Sequence, residues 1–288
     1  MTLLADAPFL APAPAAVMAR AQTENFPVAS RVLPRAVRGH LLAIYGYARL
    51  VDELGDSAAG DRLAALDWLE GELDAAFERR ARHPLLVRLT PTLHECDLDR
   101  GPFVRLIEAN RLDQRRLSYA SWEELRGYCT LSADPVGELV LGVLGLASPR
   151  RIALSDRICT ALQLTEHCQD VAEDHRAGRV YLPLEDLERF GAGARDLEAA
   201  HASEALRAVL AFEVARARAL LDEGAPLIGE LHGRARIAIG GFVAGGRAAL
   251  AAIERAGYDV LPGPPPVARR RLLGALARTL LAPRVRPG

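Results

Sequence analysis

Residues 34–56 read PRAVRGHLLAIYGYARLVDELGD. Pro34 suits the start of a helix, and Val37, Leu41, Leu42, Ile44, Tyr45, Ala48 and Val51 follow at core spacing. The stretch then departs from its own apolar pattern. Tyr45, Arg49, Asp52 and Asp56 stand at i, i+4, i+7 and i+11, one polar line along a helix whose preceding turns are apolar. Residues 158–183, ICTALQLTEHCQDVAEDHRAGRVYLP, repeat the device: Gln163, Glu166, Asp170 and Asp174 share one face beside His167 and Glu173.

Helical period continues outward from these two stretches, near 61–80, 103–117, 121–146, 151–175, 203–222, 227–256 and 268–281. Breaks fall at His83-Pro84, Gly101-Pro102, Ser148-Pro149, Gly178, Gly191, Gly193 and the GPPP run at 263–266. No period-2 strand, internal repeat or G-x-G-x-x-G after a strand stands out. The expected class is all-α, with roughly eight to ten helices. Residues 1–20, rich in Ala and Pro, read as a flexible arm before a domain at 21–288.

Composition narrows the function. At 288 residues, 50% hydrophobic and 25% charged, the chain has the proportions of a soluble globular protein. Its 36 basic residues balance 37 acidic ones, so no global excess points to nucleic acid. Every cation is an arginine, and any phosphate must be held by guanidinium forks. Cys96, Cys129, Cys159 and Cys168 lie far apart and read as reduced thiols of a cytoplasmic protein. The N-terminus lacks the pattern of a secretory signal, and the apolar run PVGELVLGVLGLA at 135–147 is too short to span a bilayer.

With 17 aspartates, one D-x-x-x-D match is expected by chance, and two occur, at 52/56 and 170/174. A solvated acidic face is the default for either pair alone. The apolar turns before each pair, with Arg49, Arg176 and Arg179 nearby, favour an interior position, where a carboxylate needs a partner or a metal. Two such pairs facing one another would form an oxygen-rich mouth for Mg²⁺ and a diphosphate. The chemistry that fits is ionisation of an activated diphosphate: charge is stabilised on the departing pyrophosphate, and a carbocation remains in an apolar cavity.

The runs ENFPVASRVLP…LLAIYGYARLVDELGD, RLDQRRLSYASWEELRGYCTLSADPVGELVLGVLG and QLTEHCQDVAEDHRAGRVYLP resemble the squalene/phytoene synthase family, over residues 23–282. The Asn25-Phe26-Pro27 opening is similar to its hydroxysqualene synthase branch. The resemblance implies an isoprenoid-synthase-type helical bundle with a central cavity, and Mg²⁺ as cofactor. It implies metal binding by Asp52 and Asp56 on one wall and by Asp170 and Asp174 opposite, with Glu166 where the family usually has Asn. It places Tyr45, Arg49 and Gln163 beside the diphosphate, Tyr128 on the cavity wall, and Arg179 and Tyr181 in the R-x-Y after the second motif. Asp52 and Asp170, with Tyr45 and Tyr128, are the implied catalytic set, and Asn25 and Phe26 join the substrate-binding one.

Gln169 replaces an arginine of the head-to-head condensing enzymes, which suits a substrate with a single diphosphate. The implied reaction is conversion of presqualene diphosphate and water to hydroxysqualene and diphosphate in squalene and hopanoid synthesis, with a separate reductase downstream. Squalene, presqualene diphosphate or phytoene synthesis from two prenyl diphosphates is the alternative, as is a catalytically silent assembly factor of the same fold. An apolar product implies a cytoplasmic protein with peripheral membrane contact, through an apolar rim or the Arg-rich last helix.

Other marked residues take structural readings. His167 and His175 lack the spacing of a zinc site. The GGFVAGG run at 240–246 permits close helix packing, without the lysine of a phosphate loop. Arg269, Arg270 and Arg271 open the last helix, and Trp68 and Trp122 sit at core spacing.

Overall fold

The computed structural model describes residues 32–56 and 60–281. Fourteen helices lie among them, more than the sequence pattern suggests, because several of the expected segments are split and three lie in stretches where no helix was named. The arm at 1–20, together with Asn25 and Phe26, lies outside the described residues. The chain divides into two compact units, one of the chain up to Arg115 with Pro135–Ile152, the other of Arg116–Asp134 with Ala153 onward.

The first unit is built on α1 (Arg35–Asp56), which packs against α2 (Arg62–Phe77), α3 (Pro84–Glu95) and α4 (Arg100–Asp113). Leu41, Ile44, Tyr47, Leu50, Val51 and Leu54 form the buried stripe of α1. Tyr47 is fully enclosed; its hydroxyl donates to the Phe103 carbonyl at 2.9 Å, and the two rings meet edge-on at 5.2 Å. The Asp61 carboxylate caps α2 by accepting from the Ala64 N–H at 3.1 Å. Helix α3 begins at the expected His83-Pro84 break, since proline at N1 loses no intrahelical bond. Leu85, Leu86, Leu89 and Leu93 then bury one face of a segment the reading passed over. Gly101-Pro102 breaks nothing and falls within the first turn of α4.

In the second unit, α5 (Trp122–Ser132) starts at Ser121, whose hydroxyl accepts from the Glu124 N–H. The segment expected at 121–146 divides after Ser132, and α6 (Asp134–Val143) follows, belonging to the first unit from Pro135 onward. Asp134, almost wholly buried, accepts from Thr160 at 2.8 Å and from Arg126 at 3.0 Å. This ties α7 (Pro149–Gln169) to α5 through a charge that would otherwise be costly inside the protein. Helix α8 (Val171–Arg176) continues α7 after a single off-helix residue. The remaining helices are α9 (Leu184–Arg189), α10 (Ala194–Leu197), α11 (Glu204–Gly224), α12 (Pro226–Glu230), α13 (Gly233–Arg255) and α14 (Arg269–Leu281).

Helix α13 packs on α11 and α14 through its glycines: a Cβ on Gly246 would meet Leu221 of α11 at 3.1 Å, as well as Leu162 of α7 at 2.7 Å, and one on Gly240 would meet Leu280 of α14 at 2.9 Å. By length and composition α13 could cross a membrane, a feature the 135–147 run does not have; 61% of its apolar window is buried within the fold. Trp68 and Trp122 are half-buried rather than core residues, and Trp122 lies under the Arg216 guanidinium at 4.8 Å. The cysteines are free, with Cys129 and Cys168 buried. Among the described residues the only extended pairing is an isolated parallel bridge between Ser118 and Val180.

Candidate active site

The first acidic motif closes α1. Arg49 donates to Asp52 at 3.3 Å within one turn, and Tyr45 is buried one turn earlier. Asp56 is exposed at the helix end. Two residues that the reading passed over complete this wall. Asn110 Nδ2 reaches Asp52 Oδ1 at 3.4 Å, and Gln114 Nε2 donates to the Gly55 carbonyl at 2.9 Å. Their signal was in the sequence. In RLIEANRLDQRR the apolar stripe of Phe103, Leu106 and Ile107 runs into two amides at i and i+4. Gly55 lets α4 come this close, because a Cβ there would lie 2.1 Å from Asn110 Oδ1.

The second motif spans the joint between α7 and α8. Asp170 sits at φ −102°, ψ 15°, outside the helical region, yet its N–H reaches Glu166 O at 2.9 Å and its carbonyl accepts from Asp174 N–H at 2.8 Å. The hydrogen-bond ladder therefore runs through the joint. Asp170 is half-buried, and burial, with the Glu173 charge adding to it, raises its carboxyl above the ordinary value. Glu166 precedes it by one turn, half-exposed, and Gln169 is buried at the end of α7.

Around this joint the unit gathers aromatic rings. His167 stacks on Tyr181 at 4.0 Å and 11°, Tyr181 lies 5.6 Å from Tyr128, and Tyr119 stacks on Tyr181 at 5.9 Å. Gln163 contacts His167 Nε2 at 3.2 Å, and His167 Nδ1 lies 4.0 Å from Asp174. Burial lowers the His167 pKa to about 3, so the ring is neutral. Gln163, Asp174, Tyr128 and Tyr181 are thus joined through His167, while Tyr119 is an addition to the expected set. Arg179 lines a crevice of about 10 Å³ with His167, Asp174 and Tyr181, space for no more than one water.

Among the described residues no three His, Cys, Asp or Glu side chains converge to hold a metal by themselves. Each acid pair offers few carboxylates, which suits Mg²⁺, a cation that keeps waters and takes the rest of its shell from phosphate oxygens. The raised Asp170 carboxyl, placed beside another acid, is a group whose charged form a cation would favour.

The squalene/phytoene synthase family model matches residues 19–271. The chain is 37% identical over 212 residues to the hydroxysqualene synthase of Rhodopseudomonas palustris, which covers 72% of this chain and 71% of that one. It is 34% identical over 255 residues to the phytoene synthase of Arthrospira platensis, covering 82% of each. The crystal structure of squalene synthase HpnC from Alicyclobacillus acidocaldarius superposes with a TM-score of 0.79 at 48% identity, over 84% of this chain and 92% of that one. The chain belongs to the squalene/phytoene synthase family.

Proposed function

We propose that this chain is a hydroxysqualene synthase, converting presqualene diphosphate and water to hydroxysqualene and diphosphate, with Mg²⁺ as cofactor. The observation that carries this reading is Gln169: a buried neutral amide immediately before Asp170, where the condensing enzymes it resembles place a diphosphate-binding arginine. A site without that cation suits one diphosphate, and the relatives named hydroxysqualene synthase support the same reading.

In this mechanism Asp52 with Asp56, and Asp170 and Asp174 with Glu166, would hold Mg²⁺. When bound, the metal would supply positive charge against the departing diphosphate. Arg49 and Arg179 offer forked donors to diphosphate oxygens, and Asn110 steadies Asp52 for its role. Gln163 contacts the His167 ring and steadies it beside Asp174. Tyr128 would offer a ring face to a neighbouring cation, while Tyr181, stacked on His167, holds that ring in place. Water then captures the rearranged cation, and a separate reductase would complete the route to squalene.

A second reading is condensation of two prenyl diphosphates, favoured by the likeness to phytoene synthase over 82% of each chain. Incubation of the purified protein with Mg²⁺ and presqualene diphosphate in ¹⁸O-water, with and without NADPH, separates the two. A labelled C30 alcohol in both mixtures is expected. Squalene formed only with NADPH assigns a reductive synthase, and turnover of farnesyl diphosphate alone assigns the condensing reaction.

A further inference from the structure

A concentration of positive charge follows both acidic motifs in the sequence. Residues 260–288 hold six arginines and no acidic residue, in a chain whose formal net charge is −1. Between α13 and α14 a cleft of about 510 Å³ is walled by Arg247, Arg255, Arg270, Arg271 and Arg278 over a floor of alanine and glycine, and no carboxylate lines it. Arg247 is engaged by Asp222 at 2.6 Å and Thr279 at 3.1 Å. The other four are exposed, and among the described residues none of them forms an ion pair. Like charges gathered this closely are held against their mutual repulsion unless an anion enters.

The same helix exposes apolar surface. Leu273 is 66% exposed and Leu281 82% exposed, whereas Ala275 and Thr279 on the packed side are buried. Helical spacing puts Arg270, Leu273, Ala277 and Leu281 on one outward arc, with Arg278 and Arg271 beside it. Leucines flanked by arginines on an outward helix face are the pattern of a helix lying in a membrane interface, the leucines in the acyl boundary and the guanidinium groups at the phosphates.

We propose that the cleft between α13 and α14 binds the phosphate of an anionic phospholipid at a bilayer surface, with Leu273 and Leu281 set into the interface. A soluble phosphate would satisfy the arginines but leave both leucines in water; a lipid satisfies both. Guanidinium forks match a phosphodiester in geometry as well as charge. Each arginine near such a surface strengthens binding by about fivefold.

Sedimentation of the full chain with phosphatidylcholine vesicles, and with vesicles one-third phosphatidylglycerol, tests this without reading turnover, so it stands apart from the reaction assigned above. Binding to the anionic vesicles alone, weakened by salt, is expected. The double variant Arg255→Gln/Arg278→Gln should bind about 25-fold more weakly. Arg255→Lys/Arg278→Lys should retain most of the binding, and Leu273→Ser/Leu281→Ser should weaken it while keeping its salt dependence. Equal binding to neutral vesicles, or unchanged binding by the glutamine pair, overturns the proposal. Full displacement from vesicles by millimolar inorganic diphosphate overturns the lipid assignment in favour of a soluble phosphate.

Discussion

Asn110 occupies the space that a side chain on Gly55 would need: a Cβ there would stand 2.1 Å from Asn110 Oδ1, while Nδ2 of the same amide reaches Asp52 at 3.4 Å. Helix α4 therefore steadies the first acidic motif only because residue 55 is glycine. An alanine inside a helix is ordinarily worth up to about 1 kcal/mol over glycine. Here Gly55→Ala should instead destabilise by about 1–3 kcal/mol, from overpacking. In an Asn110→Ala background the penalty should shrink, since only the Cβ of residue 110, at 3.1 Å, remains to be met, and urea denaturation of the four proteins measures the coupling. Equal costs in the two backgrounds would show that the amide is not what the Cβ meets.

Asp52→Asn and Asp170→Asn should each reduce turnover of presqualene diphosphate by orders of magnitude while leaving helical circular dichroism unchanged. The charge that holds the metal is removed, whereas shape and volume are kept. Near-normal turnover in either variant would remove that pair from the proposed metal site.

Tyr181→Ala should cost about 3–5 kcal/mol, because the ring packs against His167, Tyr119 and Tyr128 at once. Tyr181→Phe keeps the stack and should cost less than about 1.5 kcal/mol. Chemical denaturation distinguishes the two substitutions.

Glu213 gives the second unit a pH-dependent contribution to stability. It is buried on α11 beside Asp186, and the two carboxyl groups share the single guanidinium of Arg216. Burial first, opposed by Arg216 and reinforced by Asp186, pushes its pKa up to about 8. The folded chain thus holds a proton that the unfolded chain has released above the ordinary carboxylate range. The contribution is fully present below the unfolded value and is lost as pH rises toward 8. Thermal melts of Glu213→Gln should show a flatter decline between pH 5 and 8 than the parent protein; identical slopes would mean that another group carries the proton.

The all-α class and both acidic helices were legible because their signal is periodic: apolar residues at helical spacing, then a polar line on the same face. The three helices passed over are each marked by what looks like a stop. Pro84 opens α3, Pro183 precedes α9, and Gly193 precedes α10. Proline and glycine punctuate helix beginnings as readily as loops, and a single sequence does not distinguish the two. The contact of Asn110 with Asp52 crosses 58 residues and was illegible for a different reason: it depends on which helices pack together. His167 was assigned a supporting role from its spacing, but its stacking on Tyr181 needed the chain to turn back after Gly178, where φ is +79°.

That return path has a consequence for how the second motif tolerates change. After α8 the chain runs alongside residues 117–120: Val180 N–H donates to Leu117 O at 2.7 Å, Leu184 N–H to Tyr119 O at 2.9 Å, and Glu185 N–H to Ala120 O at 3.0 Å. The short helix bearing Asp174 is thereby moored at its far end to a stretch more than fifty residues earlier in the chain. In a library of random variants, insertions, deletions or prolines at 117–120 and 180–185 should be purged as severely as changes to the aspartates, although these backbone hydrogen bonds have no part in the proposed chemistry. A graft of QLTEHCQDVAEDHRAGRVYLP into another helical scaffold would carry the letters of the motif without its mooring.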